Sequence, residues 1–139
     1  MKKSLAFAVT FAGLSSVLAL LPLDAWAKTE MLKKDECRHA QGWSEGCVIF
    51  KANTPLELAS RGGVITGTLG KDACMRAQGW SDGCTYFKAG TRVTFNDKGG
   101  VTTGTLANDS NLRPEGLDTA KTYKAGTTVN FTKTGHVAK

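Results

Sequence analysis

VIFKANTPLELASRGGVITGTL (48–69) is written again as TYFKAGTRVTFNDKGGVTTGTL (85–106), and once more, one residue shorter near Asp118, as TYKAGTTVNFTKTGHV (122–137). A shift of 37 aligns the first two copies and also brings together Leu32, Leu69 and Leu106; Asp35, Asp72 and Asp109; and Gly42, Gly79 and Gly116. A period of this length means that one supersecondary unit is repeated, so the repeat decides the architecture before any single segment is assigned.

Equivalent positions share a backbone, and the copies therefore test one another. KANT, KAGT and KAGT place Asn53, Gly90 and Gly126 at one point, and these residue types most readily accept a left-handed conformation. That point is a turn. On either side stand VIF, TYF and TY, then LEL, VTF and VNF, alternating segments rich in β-branched and aromatic residues that read as strands. Gly62, Gly99 and Gly135 mark a second turn, after which Val64, Val101 and Val137 open another strand. The expectation is an all-β chain of tandem β-hairpin units, about three strands in each, stacked as a small solenoid-like array or an elongated sheet. The units run over 28–69, 70–106 and 107–139. DECRHAQG and DACMRAQG could form a short helix capped by Asp35 or Asp72. Pro114, which stands where the other copies have Ala40 and Ala77, argues against it by removing an interior hydrogen bond.

The run FNDKGGVTTGTLANDSNLRPEGLDTAKTYKAGTTVNF (95–131) resembles the MORN-like β-repeats of bacterial proteins of the YwqK antitoxin type, a resemblance that covers residues 48–139. It implies an elongated stack of β-hairpins and brings no catalytic residues with it. CxxAQGWSxGC is an addition to that pattern.

The addition carries the strongest chemical signal. Cys37 and Cys47 recur as Cys74 and Cys84, while the third copy has Asn111 at the first place and Ala120 or Lys121 at the second. Both members of the pair are lost together, as expected if Cys37 bonds Cys47 and Cys74 bonds Cys84. Zinc sites space their cysteines two to four apart with matching histidines. Here the spacing is ten, and His39 becomes Arg76 in the second copy. C-x-x-C and haem-attachment motifs are absent, and no metal or cofactor is expected.

Met1–Lys3, the apolar run 5–21, Pro22 and Ala25-Trp26-Ala27 have the form of a signal peptide cleaved after Ala27. The run is shorter than the ~20 residues of a membrane span, and no transmembrane segment is expected after cleavage. Residues 28–139 keep 16 Lys and Arg against 11 Asp and Glu, once Lys2, Lys3 and Asp24 are left out of the totals. Spread along the chain without a run of like charges, this excess reads as solvated surface rather than a nucleic-acid footprint. A periplasmic or secreted bacterial domain of this size gains from staples.

Two sets of residues are candidates for binding. Trp43 and Trp80 lie inside the staples, either packed against the fold or offered to a glycan or envelope protein. Lys51, Lys88 and Lys124 recur in one turn and would form a basic stripe for a polyanion. Glu45 and Asp82 do not make a glycosidase pair, which needs two carboxylates across one cleft. No nucleophile, Walker or dinucleotide motif occurs. The chain therefore reads as a non-catalytic exported module with a binding or structural role. Its alternative is an exported inhibitor that uses the stapled Trp loops.

Overall fold

The computed structural model describes residues 28–139; the expected signal segment, 1–27, lies outside the described residues. Six strands form one antiparallel sheet in the order β1 (Lys28–Met31), β4 (Pro55–Leu58), β5 (Val64–Thr68), β8 (Arg92–Phe95), β9 (Val101–Thr105) and β12 (Thr128–Asn130). Three two-stranded hairpins accompany it: β2 (Glu36–Arg38) with β3 (Val48–Phe50), β6 (Ala73–Met75) with β7 (Thr85–Phe87), and β10 (Ser110–Leu112) with β11 (Lys121–Tyr123). Each sheet hairpin is thus followed by a side hairpin.

The sheet alternates as a half-buried antiparallel sheet should. Leu56, Leu58, Val93, Phe95 and Val129 are buried, while a directly paired row of Thr29, Glu57, Thr66, Thr94, Thr103 and Asn130 crosses the other face. Phe50 and Phe87 of the side hairpins join Leu32, Leu69 and Leu106 in the same core. Two glycines make room for them. A β-carbon at Gly67 would come within 2.8 Å of the Phe50 ring, and one at Gly104 within 2.6 Å of Phe87. Asn53 has φ 62° and Gly90 φ 80° in the turn before each sheet strand, as the comparison of the copies requires.

The all-β class and the two disulfides agree with the sequence reading, but the strand count does not. The units hold five, four and three strands rather than about three each: Glu36–Arg38, Ala73–Met75 and Ser110–Leu112 are strands that pair with β3, β7 and β11, while the strand expected to open at Val137 is reduced to isolated bridges. No helix occurs among the described residues. The aspartates that could have capped one accept a turn amide instead: Asp35 from Ala52 at 2.7 Å, Asp72 from Ala89 at 2.7 Å and Asp109 from Ala125 at 2.9 Å. A strand at Lys28–Met31, not foreseen, lines the first sheet edge, and Leu32 then receives Asn53 as Leu69 receives Gly90.

Candidate functional site

Cys37–Cys47 and Cys74–Cys84 are bonded, each pair with α-carbons 5.4 Å apart, and no cysteine is free. Two disulfides in so small a domain belong to an oxidising compartment. The register of β10 and β11 sets Asn111 opposite Thr122, as Cys74 stands opposite Tyr86, which makes Ala120 the counterpart of Cys84. A hydrogen bond from the Thr122 hydroxyl to Asn111 Oδ1, 2.6 Å, joins the two strands where the other copies have a staple nearby.

Each staple closes a loop whose Gln and Trp reach the hairpin turn of the following copy. The Trp43 indole N–H donates to the Gly99 carbonyl at 2.9 Å, and the Gln41 amide donates to the Phe95 carbonyl at 3.0 Å. Trp80 donates to Gly135 at 2.9 Å and Gln78 to Phe131 at 2.7 Å. The rings meet Phe95 and Phe131 edge to face, with centroids 5.9 and 5.8 Å apart, a favoured aromatic geometry. Any side chain at Gly99 or Gly135 would strike the indole. Both tryptophans are half-buried against the core. In the third copy Glu115 and Leu117 take the places of Gln and Trp, and Leu117 is 54% exposed. The contact partners lie 53 to 56 residues apart in the chain.

Between the first loop with its turn and the second loop with the next turn lies an open groove of about 1240 Å³, lined among others by Trp43, Glu45, Arg76, Gln78, Trp80 and Lys98. Polar and apolar groups share its walls, and charges of both signs stand along it. It can hold an extended ligand by aromatic contact and by side-chain hydrogen bonds. It offers no nucleophile held by a base.

Lys51, Lys88 and Lys124 are exposed on turns at the opposite ends of the sheet strands from the tryptophans. The structure therefore does not bring the two candidate sets together. Lys124 Nζ lies 3.6 Å from Asp109 Oδ2. The backbone N–H of Ala125, joined by Lys124, holds the Asp109 carboxyl below its ordinary range against the opposing effect of desolvation. At the first sheet edge Arg38 reaches Glu30 at 2.6 Å and Glu36 at 2.9 Å. These bonds raise the Arg38 pKa, and the Arg38 bond lowers that of Glu30. Among the described residues no group of His, Cys, Asp and Glu could hold a metal ion. His136 Nδ1 shares a hydrogen bond with the Thr134 hydroxyl at 2.9 Å.

Gln41 and Gln78 were not singled out from the sequence, although AQGW recurs in both copies and Glu115 replaces the amide where the Trp is replaced too. That joint change was the available signal. No family model, curated protein or solved structure matches the chain.

Proposed function

We propose that the chain is a non-catalytic binding module, exported to the bacterial periplasm or beyond, built of tandem MORN-like β-hairpin units with an added stapled loop. The observation that carries the binding role is the groove between the two stapled loops. Its walls are pre-formed, since the disulfides close the loops and the Gln and Trp contacts hold them on the turns. Such rigidity lowers the ordering cost of binding. Both indole N–H groups are engaged within the chain, which favours a ligand lying along the groove over loops that insert into a partner enzyme. The lysine turns serve solubility in this reading.

The test is capture of partners from an envelope extract by the oxidised protein, by Glu45→Ala with Arg76→Ala, and by a triple Lys51→Ala, Lys88→Ala, Lys124→Ala variant. Neither set of side chains makes a hydrogen bond or ion pair on which the groove depends. Loss of capture in the first variant and retention in the second is the expected result. Retention in the first with loss in the second would move the site to the lysine turns. Capture by neither the parent nor any variant would remove the binding role.

A further inference from the structure

The copies inside the chain show what a docked copy looks like, and among the described residues the two outermost copies carry the same surfaces without a partner. Inside the chain, the loop of one copy seats Trp43 or Trp80 on the turn glycine of the next. The side hairpins also meet, with the Thr85 hydroxyl 3.0 Å from that of Ser110. At the first end, Gly62 is the counterpart of Gly99 and Gly135. It has the same backbone, φ +93° against +89° and +89°, yet nothing lies within 4 Å of the place its β-carbon would take. At the other end Leu117, the counterpart of the tryptophans, is 54% exposed, while Met31 on the first edge strand is 59% exposed.

We infer that the chain associates head to tail with a second copy of itself, the third loop of one molecule seating on the Gly62 turn of the next. Charge decides for this occupant. In the register of the copies, Lys121 is the counterpart of Thr85 and Glu36 that of Ser110. The hydroxyl pair inside the chain thus becomes a lysine facing, between molecules, the Glu30–Arg38–Glu36 cluster, whose two carboxylates and one guanidinium leave one excess negative charge. Ala138 and Lys139 hold the register places that Lys28 and Thr29 hold at the first edge, where Thr29 pairs with Glu57. If the incoming tail displaces those two residues, Lys139 of one copy faces Glu57 of the next. Glu115 then lies against the turn that carries Arg61. Lys139 with Glu57 and Glu115 with Arg61 are of opposite sign, and Arg38 is, among the described residues, the one cation beside the carboxylate that Lys121 meets.

The contact is weaker than those inside the chain. Leu117 and Glu115 cannot supply the donors of Trp and Gln. Glu30 stands where Gly67 and Gly104 admit Phe50 and Phe87, so Tyr123 cannot seat its ring as deeply. Exposed ion pairs contribute little each and are screened by salt. The association is therefore reversible, and because it joins two different surfaces it generates open linear arrays.

Sedimentation velocity of the oxidised protein over a wide range of concentration tests this, at low and high salt, with Lys121→Glu, Glu36→Lys, the double variant and an equimolar mixture of the two singles. Circular dichroism confirms that each variant is folded. The expected result is mass that grows with concentration and falls with salt. It should be lost by at least about tenfold in affinity in each single variant, as like charges across an interface repel, and regained in the double and in the mixture. Monomer at every concentration, association indifferent to either single variant, or no recovery in the double and the mixture would overturn the inference.

Discussion

Replacing one turn glycine at a time by alanine separates the tryptophan contact from the conformation of the turn. Gly62, Gly99 and Gly135 have φ of +93°, +89° and +89°, so alanine meets the same left-handed penalty at each, about 1–2 kcal/mol. At Gly62 nothing else happens, because no atom lies within 4 Å. At Gly99 and Gly135 the new methyl strikes Trp43 or Trp80 and drives it from its seat. The lost indole hydrogen bond is worth about 1 kcal/mol net, and the edge-to-face pair with Phe95 or Phe131 about 0.5–1.5 kcal/mol. Gly99→Ala and Gly135→Ala should therefore each cost about 2 kcal/mol more than Gly62→Ala. That is a large part of the ~5–15 kcal/mol by which domains are stable. Urea unfolding of the dilute, oxidised protein reads the difference as a shift in midpoint at constant slope. Three equal shifts would refute the reasoning, since they would leave the tryptophans with no role in joining one copy to the next.

Opening the first staple with Cys37→Ser and Cys47→Ser releases a loop of about eleven residues, for which the chain-entropy model gives on the order of 3 kcal/mol. Hydrogen exchange should then show lower protection of Val48–Phe50 and unchanged protection of Ser110–Leu112, whose hairpin has no disulfide. The carboxyls of Glu30 and Asp109 are held below their ordinary values in the folded chain. Their contribution is present in full above the unfolded pKa, about 4, and is lost as pH falls through the lower folded value. Glu30→Gln with Asp109→Asn should flatten the loss of stability on the acid side, measured by urea midpoints along a pH series. An unchanged slope would place that loss in other carboxylates.

The parts of the fold that the sequence discloses are those set locally. Asn53, Gly90 and Gly126 mark one turn because few residues accept its backbone, and the alternation in VTF and VNF marks the strands on either side. The cysteine pairing was legible for a different reason: the third copy loses both partners at once. ECR, ACM and SNL were missed as strands. Three residues are too few for a period, and their pairing is decided by what lies beyond the staple. The first edge strand KTEM carries no alternation of its own and is held by its register with β4.

The candidate site was legible only in its residue types. Trp43 and Trp80 stand out as large rings in a stapled loop, but their seats are turns 55 and 56 residues further along the chain. A glycine reads the same whether it serves its own turn alone, as Gly62 does, or also makes room for an indole, as Gly99 does. The lysine turns are found by repetition, yet repetition does not reveal that they lie across the sheet from the tryptophans.

The account rests on the stapled loops being latched to the turns of the following copies, and the indole protons of Trp43 and Trp80 report on that latch most directly. Nuclear magnetic resonance of the oxidised protein should show both indole N–H protons exchanging slowly, with cross-peaks to the α-protons of Gly99 and Gly135. Rapid exchange of both, with no contact to either glycine, would contradict it.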